Sequence, residues 1–428
     1  MRILVYSEND YGCGASIVAW MLAAEYAKLG HKVVYVFQNE HQNGATADKV
    51  KKIHFKASDI NLKNKLANVY FTCWFILFAI LAKLPFSKEI NAFFIHRRRF
   101  YKFQKNRTIC ESLLKNLMDK EQFDAIHLHS VPTNLSYQFI DKISRQTPTI
   151  WTLHNCFPTK GYTTQYQNLR GKTVESYADF TFREVNSAAK GALFETNSKI
   201  HFATPSAWLH RLIKPDFSFP EKLHIIHNGL SPSAYFPKDK AAARQRLNLN
   251  PDKKYALAII GKLHLEHKNF TILNEAFQQI TDPNIELILI GNQGNWTIPF
   301  PKNILFQGPI FEEATKSDYL CAADLFIIPS LADNFPTVIL ESLFCGTPIL
   351  GANIGGIPEM VIPEKTGRLF SPYQAKELTQ KIKTLINDDA LLKKMSRNCI
   401  AMSQAKFTLN HQAKQHLKLL QKIKIDHE

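Results

Sequence analysis

Short, almost wholly apolar runs recur along this chain, each followed by a turn and then by a stretch of helical periodicity. Residues 3–7 lead into a glycine loop, Tyr11-Gly12-Cys13-Gly14. Residues 15–29 read as a helix closed by Gly30, and 31–37 (HKVVYVF) are apolar again. Runs this hydrophobic suit strands buried on both faces of a parallel sheet, and a strand–loop–helix–strand order is how a doubly wound sheet begins. Further strands are predicted at 125–129, 149–154 and 200–204. The 155–185 stretch lacks a clear period and reads as a long functional loop. After His227-Asn228-Gly229 the pattern gives way to turn chemistry, Ser231-Pro232 to Pro237, and then restarts. Strands are predicted at 255–260, 285–290, 304–306, 325–329 and 348–350, with helices at 269–280, 315–322 and 336–345 between them.

The fold class is therefore α/β. With 428 residues, the chain exceeds the roughly 250–300 that one core usually supports, so two Rossmann-like domains are expected. Their limits are placed at 1–235 and 236–408. In the final segment, 409–428, Leu409, Ala413, Leu417, Leu420 and Ile423 share one face and lysines dominate the other.

Lys and Arg outnumber Asp and Glu by 53 to 37, a formal charge of +16 that calls for anionic partners without choosing among phosphates, membrane or nucleic acid. The seven cysteines are dispersed, with no Cys-x-x-Cys pair, as in a reduced cytoplasmic protein. Glu8 and Asp10 interrupt any export-signal core. An insert at 66–107 holds the apolar run VYFTCWFILFAILA, shorter than the roughly 20 residues that span a bilayer. The run HRRRFYKFQKNR (96–107) follows, with six basic residues and no acid. A buried or interfacial helix with a solvated basic face is one reading. A peripheral anchor on an anionic leaflet is the other.

The most informative segment is PSLADNFPTVILESLFCGTPIL (329–350). Its loop follows a strand, at the sheet edge where open α/β folds bind ligands. Pro336 suits a first helical turn, and Asp333 or Asn334 could cap it. Glu341 interrupts a helix apolar nearly all round, where an unpartnered carboxylate costs several kcal/mol. It needs an interior partner or a ligand. Asp333 and Glu341 stand eight residues apart, roughly 12 Å in a helix, which suits two parts of one long ligand better than a shared proton.

An acid, seven residues, then Glu resembles the signature of glycosyltransferase family 4. The resemblance implies a GT-B fold, two Rossmann-like domains facing across a cleft with the last helix crossing back to the first. It implies that Asp333 meets donor-sugar hydroxyls and Glu341 the ribose, although most members carry Glu at the first position. It places backbone amides near Phe335, Thr337 and Val338 at a diphosphate, with Asn334 alongside. Lys262 and Lys268 stand where the family has Arg and, six residues later, Lys. The first substitution gives up the bidentate fork of Arg. Gly12 and Gly14 would let backbone approach the donor. Ile310 would lie by the nucleobase and His154, at a strand end, by the donor sugar. His129 is placed on the acceptor side. His227-Asn228-Gly229 and Gly355-Gly356-Ile357-Pro358-Glu359 resemble the family's turns into the linker and into the next helix.

The implied activity is retaining transfer from a UDP- or GDP-linked sugar to a glycan or polyprenyl-linked acceptor, in surface-polysaccharide assembly at the inner face of the cytoplasmic membrane. No metal or resident cofactor is implied, the nucleotide sugar being a co-substrate. Two other readings stay open: another GT-B enzyme such as a nucleotide-sugar epimerase, and a non-enzymatic basic protein that binds membrane or nucleic acid. Against the last, no nucleic-acid module is recognisable.

Overall fold

The computed structural model describes residues 1–7, 14–37, 49–55, 106–129, 135–160, 164–167, 172–176 and 199–427, with five helical residues between 73 and 80. Nine strands fall in the first part of the chain: β1 (Arg2–Tyr6), β2 (Lys32–Phe37), β3 (Val50–His54), β4 (Ala125–His129), β5 (Thr149–Thr152), β6 (Thr164–Gln167), β7 (Thr173–Ser176), β8 (His201–Thr204) and β9 (Leu223–Ile225). Six follow: β10 (Lys254–Lys262), β11 (Ile285–Asn292), β12 (Ile304–Gly308), β13 (Leu325–Ile328), β14 (Ile349–Ala352) and β15 (Gly367–Phe370). Seven of the first nine form a sheet in the order β3-β2-β1-β4-β5-β8-β9, and the last six form a second, β12-β11-β10-β13-β14-β15. All pairings within both sheets are parallel. Strand order reverses once in each sheet, between β1 and β4 and between β10 and β13. These switch points open crevices at the carboxyl ends of the strands.

The central strands are buried throughout, as their continuous apolar sequence requires. The last helix, Leu409–His427, covers the first sheet. Its Leu409, Ala413 and Leu417 join the cluster of Ile3, Val5, Val18 and Tyr35, whereas Leu419, Leu420 and Ile423 join Ala125, Ile150, Ala203 and Ile226. Where a loop is expected at 155–185, residues 157–160 form a helical turn and β6 and β7 an antiparallel hairpin. Their sequences, TQYQ and TVES, carry too little apolar alternation to reveal it. Most of the 66–107 insert lies outside the described residues, as does Gly12. Among the described residues no helix is long and apolar enough to cross a membrane.

The chain passes between the sheets near residue 230 and returns near 408, and the two passages are bonded to each other. Leu230 N–H donates to Phe407 O at 2.9 Å, and Leu409 N–H donates to Leu230 O at 3.0 Å. Gly229 N–H donates to Gln412 Oε1 at 2.8 Å. A Cβ on Gly229 would stand 2.5 Å from the Thr408 carbonyl oxygen, so the backbones meet at a distance only glycine permits. Gly229→Ala should therefore lower stability by about 1–3 kcal/mol in denaturant unfolding, the cost of forcing a packed contact apart. An unchanged midpoint would mean that the two passages move freely.

Candidate active site

Both switch points open into one cavity of about 450 Å³, within the range of small-molecule sites. Gly14, His154 and Asn228 line it from the first sheet's side. From the other side come Gly261 at the end of β10 and Lys268 after it, and Pro329, Asp333, Phe335, Thr337 and Val338 after β13. A larger hollow of about 620 Å³ lies between β9 and the last helix. It sits on the sheet's flank, away from every switch-point loop, so topology favours the smaller one.

Local geometry shapes the loops around this cavity. The β10–β11 register slips between Ile260 and Lys262, a bulge that re-aims the chain as the strand ends. Asn269 closes the following turn at φ 53°, and its Nδ2 donates to Pro329 O and Pro372 O at 3.1 and 2.8 Å. Leu331 N–H donates to His267 O at 2.8 Å. The 262–269 and 329–331 loops are thereby fixed to each other. Beneath them, Gly356 N–H donates to Asp333 O at 2.9 Å, and a Cβ at Gly356 would fall 1.7 Å from Asn334 O. The paired glycines let the 353–357 turn support the 333–334 backbone directly.

Lys268 Nζ donates to Asp333 Oδ2 at 2.9 Å, which brings together two of the expected donor residues. The helix Thr337–Cys345 starts after Pro336, and among the described residues no side-chain hydrogen bond caps it. Asp333 and Asn334 therefore do not act as its caps, and its positive end faces the cavity through Thr337 and Val338. Glu341 lies three and four residues further on, along the same helix face, but it stands behind the cavity lining and is not part of it. It is 7% exposed, and its Oε2 has no hydrogen-bond partner among the described residues. Burial pushes its carboxyl above the usual range, Lys316 pulls it back, Glu313 raises it, and a hydrogen bond with Tyr235 lowers it. Lys262 is exposed at the end of β10, outside the cavity lining. Ile310 is half-buried against the second core.

Asn334 faces the other domain. Its Nδ2 donates to His154 O at 2.9 Å, and its Oδ1 accepts from the Ser206 hydroxyl. Glu359 accepts from Ala207 N–H and Trp208 N–H at 2.8 and 2.6 Å, and the His227 ring stacks on Phe335 at 5.1 Å. Five interdomain contacts thus surround the 333–335 loop. Sequence reasoning overlooked Ser206 and Glu359 as site partners. Ser206 also caps the helix Ala207–Ile213 by accepting from Leu209 N–H, a local signal that a serine before an apolar run provides.

His129 does not line the cavity. It is fully buried below His154, with Nδ1 2.9 Å from His154 Nε2. His127 stands beside it at 4.1 Å between ring centroids, and His416 of the last helix lies 4.5 Å from His127. Burial pushes His154 down to about 4 and His416 to about 3, with further lowering of His416 by His154 and His224. His127 and His129 are also held well below the usual range, chiefly by burial and then by their neighbours.

Two facing parallel sheets, a cleft between them and a returning terminal helix define the GT-B class. Solved structures agree on that fold. Sucrose-phosphate synthase from Thermosynechococcus elongatus superposes with a TM-score of 0.69 at 19% identity over 99% of both chains. Anabaena HepE in complex with UDP and glucose gives 0.68 at 16% identity, over 99% of this chain and 100% of that one. The profile of Glycosyltransferase Family 4 matches residues 12–234 and that of Glycosyl transferases group 1 matches 239–402, and the chain belongs to glycosyltransferase family 4. D-inositol 3-phosphate glycosyltransferase of Mycobacteroides abscessus is 26% identical over 180 residues, 39% of this chain and 40% of that protein. The chain thus matches about two fifths of the length of this curated relative.

The buried histidines make stability pH-dependent. Their folded pKa values lie below the unfolded value of about 6.5, so the unfolded chain takes up protons first as pH falls. The stability they contribute is intact above about pH 6.5 and is lost as pH drops toward 4. His154 alone should cost on the order of 3 kcal/mol by pH 4. Denaturant unfolding across pH 7 to 4 should fall accordingly, with a shallower slope in His416→Phe. The same slope in both proteins would contradict this assignment.

Proposed function

We propose that this chain is an enzyme transferring a sugar from a UDP- or GDP-linked donor to a glycan or polyprenyl-linked acceptor, with retention at the anomeric carbon and without a metal. The observation that carries the reading is the convergence of Lys268, Asp333 and an uncapped helix N-terminus on one cavity at both switch points. Lysine charge and helix-end N–H groups suit a diphosphate. The nucleotide and sugar held by Anabaena HepE, a protein of the same fold, support the donor class.

In this reading Lys268 and Lys262 stabilise the leaving diphosphate, with backbone amides near Phe335, Thr337 and Val338 beside them and Gly12 and Gly14 admitting the donor. Asp333 takes sugar hydroxyls and shares Lys268 with the phosphates. Glu341 receives the ribose hydroxyls at its unpartnered oxygen, Ile310 borders the nucleobase and His154 meets the donor sugar. Asn334 contributes by bonding the donor loop to His154 O. No side chain need form an adduct; catalysis comes from orientation and from charge placed at the leaving group. Exposed Ile76, Leu77 and Ile80, within the insert, support a peripheral membrane contact and a lipid-linked acceptor in surface-polysaccharide assembly.

Calorimetry on folded variants tests the site. Lys268→Ala should weaken UDP or GDP binding by about 1.5–3 kcal/mol. Glu341→Gln should weaken every nucleoside-containing ligand by a similar amount, whereas Asp333→Asn should spare the free diphosphate and slow transfer. Transfer should survive EDTA. Unchanged nucleotide affinity in both Lys268→Ala and Glu341→Gln would place the donor elsewhere.

A further inference from the structure

His129 and His154 share a hydrogen bond just behind the cavity wall, and the surroundings decide which ring donates. The two nitrogens, His129 Nδ1 and His154 Nε2, stand 2.9 Å apart, so one proton lies between them. Among the described residues no acid bonds to either ring. Their neighbours are the neutral side chains of His127 and His416, and His127 is itself bonded to Tyr26 Oη and Thr152 Oγ1 at 3.0 and 2.7 Å. Both rings are therefore neutral, and each carries one N–H.

The remaining nitrogen of His129, Nε2, is buried and has no hydrogen-bond partner among the described residues. An orphaned buried N–H is rarer in folded proteins than an orphaned acceptor. The proton of His129 therefore belongs on Nδ1, where it has a partner, and Nε2 is the bare nitrogen. His129 donates and His154 Nε2 accepts. That assignment puts the proton of His154 on its own Nδ1. The structure gives that nitrogen no protein partner among the described residues, and the ring lines the cavity. We infer that His129 is a positioning residue that holds His154 as the Nδ1–H tautomer, so that His154 offers a hydrogen-bond donor, not a base, to an oxygen of the bound sugar. The final step, the sugar oxygen, rests on the proposed glycosyl transfer; the tautomer does not.

The consequence is chemical. A ring fixed as donor orients a hydroxyl or ether oxygen and favours charge growing on it. The same ring with Nδ1 bare would repel that oxygen's lone pairs. Asn334 holds the backbone of the same residue through His154 O. Ring and backbone of His154 are thus fixed from different domains.

Long-range proton–nitrogen NMR of the full chain labelled with nitrogen-15 histidine reads the tautomer without any substrate, the His154 ring being assigned by its loss in His154→Gln. The expected spectrum shows Nδ1–H at His154 in the wild type. His129→Leu should shift His154 toward the Nε2–H form that free histidine favours. His129→Asn, whose amide can place an N–H near the lost Nδ1, should restore it. With a donor sugar in hand, His129→Leu should lower kcat tenfold or more with little change in donor KM, and His129→Asn should recover most of it. An Nε2–H signal at His154 in the wild type overturns the inference, whatever the reaction. The expected tautomer with no transfer from any nucleotide sugar leaves the positioning intact and defeats the proposed function. Equal loss of kcat in the Leu and Asn variants, at unchanged tautomer, overturns the link between them.

Discussion

Two lengths of backbone lie side by side at Leu230 and Thr408, close enough that Gly229 can carry no side chain. That contact joins the two domains where the chain crosses between them. The crossing at 230 orients the second sheet, and the return at 408 delivers the last helix onto the first. Because both passages are bonded to each other, the domains face one another with their switch points opposed. Phe407 extends the arrangement toward the site, since its ring meets both His227 and Phe335 edge-on. The loop that carries Phe335 is therefore braced against the paired chain crossings.

The site combines strong fixation with a few groups left unsatisfied. Asn269, Gly356 and Ser206 bond to the 329–338 loop, and Glu359 ties the turn beneath it to the other domain, so that the loop has little freedom. Against that rigid frame, and among the described residues, Glu341 Oε2 stands buried without a partner and the helix at Thr337 has no side-chain cap. Folded proteins rarely leave such groups unpaired without a functional reason. In the proposed reading, a ligand with acceptors at one end and hydroxyls at the other would satisfy both.

Much of this was legible in the sequence, for identifiable reasons. Central strands are buried on both faces, so runs such as AIHLH and IELILIG announce themselves. β3 (VKKIH) escaped because an edge strand keeps Lys51 and Lys52 at its surface, and β9 (LHI) is too short to show a period. Glu341 was visible as a carboxylate whose apolar setting demands a partner, and Asp333 by its place in a loop at the sheet edge, eight residues before it. Ser206–Asn334 and Glu359–Trp208 were not, since their partners lie 128 and 151 residues away and each residue has an ordinary local role. His129 was recognised by its strand-end position. That position could not tell a cavity-lining ring from one buried behind it.

Hydrogen–deuterium exchange with and without a saturating nucleoside diphosphate tests the central claim most directly, because it reports where the ligand sits without presuming a reaction. Backbone amides at 261–269 and 335–341 should slow markedly when UDP or GDP is added, while those around β9 and the outer face of the last helix should not change. Protection confined to the β9 flank, or saturable binding with no protection at 261–269 and 335–341, would contradict the assignment of the cavity.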